Sequence, residues 1–398
     1  MERFLRALVN PLSGAVVFAL AIVVFYGFGA WIVESPMLEQ TSGNMALLPW
    51  VSAVCVIIGS LFFQRHRPVE FDVQRGKWLV WGVTLLFLVF CAVTILSAES
   101  IPLIEAIHGA SPAEIAVARE NFLKARTGWA SILVYVNAML TAVILPYCMC
   151  VALLHKYKYR WLIVSLFFLY SLVFVEKAFF LRIFLPLMAV VVITRVRYVR
   201  LWWLLAGAVA LLAANVLISG FVEASGTTVS EFLIFRIFAV PLSTVIDSLN
   251  HWWETYRGNL FQGSTNLVLA TLFNLPRVQF EREVFEYQWG ASATGTGSAN
   301  AAYFVEAYVN FGIIGVVVFS LLIGALLSYM GRSRDMALRC TVPLVMYTLF
   351  LGGLLGLFFG NGLLLLLLIS GYLTRRPAAR PEPQVVVAPI KPQTPPTA

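Results

Sequence analysis

The chain has 398 residues, of which 60% are hydrophobic and only 12% charged, and its mean hydropathy is +0.85. Soluble domains carry about 25% charged residues, so this composition excludes a water-soluble fold. The net charge of +8 lies in short basic clusters between apolar runs, a topological pattern rather than a nucleic-acid footprint.

Runs long enough to cross a hydrocarbon layer about 30 Å thick recur along the chain. They predict spans at 13–33, 46–64, 78–97, 129–153, 161–175, 178–194, 201–219, 301–326, 341–358 and 361–374. The first follows Arg3 and Arg6 and lacks a small-residue cleavage site, so it reads as a retained helix, not a signal peptide. The stretches 161–194 and 341–374 are tight for two crossings and long for one. "VEKAFF" divides the first and "FFGNG" the second, which predicts two short or tilted helices in each.

With ten spans and the N-terminus inside, most of the 28 lysines and arginines fall on inside segments and most of the 20 acidic residues outside. A single span over 341–374 would put Arg375, Arg376 and Arg380 outside, against the positive-inside rule. The expected fold is therefore an all-α polytopic membrane protein with both ends cytoplasmic. It comprises an N-terminal bundle over 1–219, an outer loop over 220–300, C-terminal spans over 301–376 and a Pro-rich disordered tail over 377–398.

Two outside segments are more than connectors. In 111–126, Ser111, Pro112 and Glu114 form a capping-box start, and Ile115, Ala118 and Phe122 share one face, as in a helix lying on the membrane surface. In the outer loop, Leu242, Val245, Ile246, Leu249, Trp252 and Trp253 follow helical spacing, with Asp247, His251 and Glu254 opposite. That loop reads as amphipathic and half-submerged.

The chemistry-bearing candidates are the outside cations and one carboxylate. Lys177, Arg182, Arg236, Arg257, Arg277 and Arg282 stand against the positive-inside bias, and a cation in apolar surroundings needs an anion such as a phosphate. Snorkelling is the alternative for Arg236, and a solvated helix face with acidic neighbours is the alternative for Arg119, Lys124 and Arg126. The run "GTGSAN" supplies Ser298 and Asn300 as N-cap types for the helix that follows. At helical spacing Asn300, Tyr303, Glu306 and Asn310 predict one polar stripe descending inward. Withdrawn from water, Glu306 is either a general base or an anchor paired with an outside arginine. Cys55, Cys91, Cys148, Cys150 and Cys340 lie in or beside apolar runs, and the four histidines are scattered, so no metal or other cofactor is expected. Neither GxGxxG, HExxH, DxD nor GxSxG is present.

The segment "SANAAYFVEAYVNFGIIGVVVFSLLIG", with Glu306, Tyr308, Asn310, Phe311, Gly312 and Gly315 in the pattern E-x-Y-x-N-F-G-x-x-G, resembles the Wzy-type polymerases of bacterial O-antigen and exopolysaccharide repeat units. "RIFAVP" at 236–241 and "VEKAFFLRIFLPL" are similar to that family's arginine-bearing segment and its charged hairpin. The related O-antigen ligases carry a His-Asn pair where this chain has Ser298-Ala299-Asn300, a departure that argues against a ligase.

The resemblance implies a GT-C-like architecture in the bacterial inner membrane. It implies a metal-independent glycosyltransferase that joins undecaprenyl-diphosphate-linked oligosaccharides, as donor and acceptor, into O-antigen, capsule or exopolysaccharide on the outer leaflet. Glu306 would then be the base, the six outside cations would bind diphosphate, and Ser298, Asn300, Tyr303 and Asn310 would line the substrate pocket. Membrane lipids and a chain-length regulator are the implied partners, with no nucleic acid. A flippase for the same lipid-linked glycan would use a similar cavity without breaking a bond, but no internal repeat of the transporter kind is visible.

Overall fold

The computed structural model describes residues 11–28, 38–62, 70–124, 126–173, 177–195, 240–290, 299 and 301–375. The predicted span at 201–219, Arg236, Ser298, Asn300 and the tail lie outside these residues. Almost every described segment is helical, as 60% apolar content without alternating patterning dictates. Among the described residues, three helices are long and apolar enough to cross a membrane: Val73–Leu96, Gly128–Leu154 and Tyr303–Arg332.

In chain order, α1 (Pro11–Ile22) runs into a π-helical turn, and α2 (Leu38–Gly59) packs back on it. Helix α3 (Val73–Leu96) starts at Asp72, whose side chain accepts the Arg75 amide at 3.0 Å. After the short α4 (Pro102–Ile107), α5 (Pro112–Arg119) opens with the predicted capping box. The Ser111 amide donates to Glu114 at 2.7 Å and the Glu114 amide to Ser111 at 3.3 Å. Ala118 and Phe122 are buried against the protein itself, where the sequence pattern predicted a face turned to the membrane surface. Arg126 departs from the solvated-face alternative: it donates to the Phe122 and Thr94 carbonyls and to the Ser97 hydroxyl, clamping the carbonyl end of α3.

Helix α6 (Ile132–Met139) widens into a π turn at Leu140–Ile144 just before Pro146 of α7 (Leu145–Leu154), because proline cannot donate to the preceding turn. The two doubtful apolar stretches each form two helices: α8 (Arg160–Val173) with α9 (Lys177–Arg195), and later α14 (Met336–Leu351) with α15 (Leu363–Leu373). The outer excursion holds α10 (Val240–Tyr256), α11 (Leu267–Leu272) and α12 (Phe280–Trp289). In α10 the predicted face Leu242, Val245, Ile246, Leu249 and Trp252 is buried, whereas Trp253 is exposed. A two-residue antiparallel pairing, Glu70–Phe71 with Thr374–Arg375, ties the start of α3 to the end of α15.

Helix α13 (Tyr303–Arg332) is not the straight span predicted for 301–326. At Gly312 the backbone takes φ 65° and ψ −158°, and the chain reverses into a short arm, 303–311, and a long arm, 313–332. The reversal is tight: a Cβ on Gly315 would lie 2.5 Å from the Ala307 carbonyl oxygen, and Tyr303 comes within hydrogen-bonding distance of Ser320. The left-handed backbone at 312 suits glycine, which has no Cβ to clash. The long arm rises about 30 Å, enough by itself to cross the hydrocarbon layer. It packs backbone to backbone on α2, where a Cβ on Gly324 would meet the Val56 carbonyl at 2.0 Å, the close approach that small residues permit between apolar helices.

At the far end of the long arm Asp335 is 1% exposed and fully used. It accepts the Ala337 and Leu338 amides at the start of α14, the Tyr147 hydroxyl at 2.6 Å and the Ser370 hydroxyl at 2.7 Å. Four hydrogen bonds tie α7, α14 and α15 through one carboxylate.

Candidate active site

The reversal at Gly312 separates the residues of the predicted polar stripe. Tyr303 does not face a pocket: its hydroxyl bonds Ser52 and, at 3.3 Å, Ser320, inside the bundle with α2 and the long arm. Asn310 is fully buried and works as a latch. Its carbonyl oxygen accepts the Gly263 amide at 3.0 Å, and its amide donates to Thr265 at 2.8 Å and to the Glu306 carbonyl at 2.8 Å. The Phe261 and Gln262 amides bond the Val309 and Asn310 carbonyls, so the loop before α11 satisfies the end of the short arm. Tyr308 meets Trp252 edge to face at 5.5 Å, docking α10 on the same arm. Most of the E-x-Y-x-N-F-G-x-x-G pattern is therefore accounted for by the hairpin and the excursion it carries.

The start of the short arm differs from the N-cap predicted at Ser298 or Asn300. Its N-cap position is Ala302, with no side-chain cap. Upstream, the Ala299 amide donates to the Glu281 carbonyl at 3.0 Å, so this segment is pinned to α12 instead of starting a helix.

Glu306 is half-buried and turns away from the bundle toward the break after α14. Its carboxylate accepts the Leu355 amide at 3.1 Å, at the start of the helical turns that follow Gly353. A Cβ on Gly353 would lie 2.6 Å from that carboxylate, so only glycine leaves room for it. The anchor expected from the sequence was an arginine. The partner present is a helix N-terminus, which stabilises an anion through free amides and the helix dipole.

Glu306 lines a cavity of about 360 Å³, together with Arg277, Gln279, Glu281 and Arg282 of the excursion and Gly353. Of the six predicted diphosphate-binding cations, the structure brings Arg277 and Arg282 to this cavity. Arg277 is exposed at its rim and has no ion-pair or hydrogen-bond partner among the described residues. Arg282 bonds Glu286 at 2.8 Å, one turn along α12. Arg182 lies elsewhere, donating to Thr141 at 2.9 Å beside the π turn. Arg257 is exposed in a left-handed turn (φ 52°) at the end of α10. Lys177 begins α9, but its side chain and all of Arg236 lie outside what is described.

Within the excursion, polar contacts join α10 to α12, which carries part of the cavity lining. Gln288 donates to Asp247 at 2.7 Å, the Tyr256 hydroxyl donates to Glu283 at 2.6 Å, and His251 lies 3.4 Å from Glu283. Asp247 and His251 thus face a neighbouring helix and not open solvent, as an amphipathic pattern alone would have them. Burial raises the Asp247 carboxyl above its usual range against the opposing Gln288 bond. Burial, reinforced by Glu283, pushes the Tyr256 hydroxyl up to about 12.

Sequence reasoning missed Glu281, Gln279 and Gly353. The sequence offered little signal for them, since an acidic residue in the first turn of a surface helix and a glycine in an apolar run are both ordinary. Among the described residues no three His, Cys, Asp or Glu side chains gather as a metal site would require. Comparison with family models, curated proteins and solved structures finds no match to this chain.

Proposed function

We propose that this protein is a bacterial inner-membrane glycosyltransferase that polymerises undecaprenyl-diphosphate-linked oligosaccharide repeat units on the outer leaflet. The reading includes about ten spans and cytoplasmic termini, from the apolar runs and the positive-inside rule, and a GT-C-like architecture, as the resemblance over residues 298–324 implies. The observation that carries it is the meeting of Glu306 with Arg277 and Arg282 in one cavity beneath an amphipathic excursion.

In the proposed reaction an acceptor sugar hydroxyl attacks the anomeric carbon of the donor glycan. The bond from that carbon to the diphosphate oxygen breaks, and the diphosphate leaves with the electron pair. Glu306 takes the hydroxyl proton. Guanidinium groups offset the charge developing on the leaving diphosphate, a role that needs no metal ion.

The test is a reaction of purified protein in detergent with a lipid-diphosphate-linked repeat unit and EDTA. A ladder of longer lipid-linked glycans is expected, and Glu306→Gln should reduce it about 10²–10⁴-fold with the protein still folded. No ladder from a substrate shown to bind would overturn the reading in favour of transport.

A further inference from the structure

The cavity raises a question that the proposed reaction leaves open: which of the two substrates occupies it. Its charges cancel. Arg277 and Arg282 are matched by Glu281 and Glu306, and Arg282 is already engaged by Glu286. A diphosphate brings at least two negative charges and would have to sit against the Glu281 and Glu306 carboxyl groups, with Arg282 already committed to Glu286. A neutral sugar meets no such cost.

The walls also suit a sugar. Val305, Val309 and Phe280 bring apolar surface to the cavity, and Gln279, Glu281 and Glu306 bring polar groups. A pyranose ring carries the same two kinds of surface, with C–H faces and a hydroxyl edge. Carboxylates and amides accept hydrogen bonds from hydroxyls, and the Gln279 side-chain amide has no partner among the described residues. The volume of about 360 Å³ falls at the lower end of the range for small-molecule sites, about 300–1,000 Å³, and suits the end of an oligosaccharide. The two carboxylates belong to one frame: the Ala299 amide bonds the Glu281 carbonyl just before the arm that carries Glu306.

We infer that this cavity is the acceptor-sugar subsite, in which Glu281 and Gln279 orient the ring whose hydroxyl meets Glu306, while the donor diphosphate stays at the rim beside Arg277. The inference rests on the proposed polymerase reading for the identity of the acceptor, but its test does not depend on turnover. Full-length protein in detergent is titrated with two probes: reduced oligosaccharides released from the host's own surface glycan, and farnesyl diphosphate.

Glu281→Gln is expected to weaken oligosaccharide binding about tenfold, the loss of one charge-assisted hydrogen bond, and to leave farnesyl diphosphate binding unchanged or tighter. Gln279→Ala, an exposed position, should weaken the oligosaccharide in the same direction. Arg277→Ala should weaken farnesyl diphosphate alone. Two results overturn the inference: a wild-type protein that binds no oligosaccharide, or Glu281 and Gln279 variants that alter diphosphate binding alone. A glycan ladder with Glu281-independent oligosaccharide binding would sink this assignment and leave the polymerase. Glu281-dependent binding without a ladder would do the reverse.

Discussion

Two carboxylates, Glu306 on the short arm of α13 and Asp335 just beyond its long arm, use the same device to different ends. Asp335 and Glu306 each sit at a helix N-terminus and accept backbone amides there. Asp335 is sealed, because two amides and the hydroxyls of Tyr147 and Ser370 use its oxygens from every side. Glu306 is held on one side and open to a cavity on the other. Saturation as well as burial separates them: a carboxylate with every lone pair engaged is a strut, and one with a free edge can accept from a substrate hydroxyl.

The sharpest way to break this comparison is to remove charge and keep shape. Glu306→Gln retains an acceptor for the Leu355 amide, so thermal unfolding in detergent should shift by no more than about 1 kcal/mol while polymer formation falls by orders of magnitude. A large loss of stability instead would make Glu306 a second strut. Asp335→Ala is expected to do the opposite. It removes a cap worth about 1 kcal/mol and leaves two buried hydroxyls short of an acceptor at about 1–3 kcal/mol each, so the total is about 3–7 kcal/mol. Chemical or thermal unfolding monitored by tryptophan fluorescence would measure it, and a neutral result would mean that other contacts tie α7, α14 and α15.

Two smaller changes probe what surrounds Glu306. Asn310→Ala cuts the latch to Gly263 and Thr265, at a cost of about 2 kcal/mol, and limited proteolysis should then cut first within residues 257–290. An unchanged cleavage pattern would show that the Phe261 and Gln262 amides suffice. Gly353→Ala introduces a Cβ against the carboxylate, the movable end of a flexible side chain, so the carboxylate is displaced at a stability cost of about 1 kcal/mol or less. The glycan assay should show a loss of rate larger than any loss of substrate affinity, since the group displaced is the proposed base. Equal losses in both would point to general disruption of the cavity.

Much of the local structure was legible in the sequence. The capping box at Ser111, the buried face of α10 and the division of each long apolar stretch into two helices follow from spacing and polarity within about a dozen residues. The site was legible only in outline. Glu306 stood out because charge in an apolar helix is costly, and Arg277 and Arg282 because they run against the positive-inside bias, in a loop too irregular to place them. Tyr303 and Asn310 were grouped with Glu306 because a continuous helix would align them, and the reversal at Gly312 removes that alignment.

What the sequence determined by itself was the class of molecule and its helices, because the hydrophobic effect and backbone hydrogen bonding act on composition and short-range periodicity. What only the tertiary structure decided was the fate of each polar group. Glycine permits the turn at 312 without demanding it, and the partners that hold Glu306, the Leu355 amide and the space above Gly353, lie 49 and 47 residues downstream. Contacts of that range have no local signature. They come from packing, which sets one carboxylate closed within the bundle and the other open on a cavity.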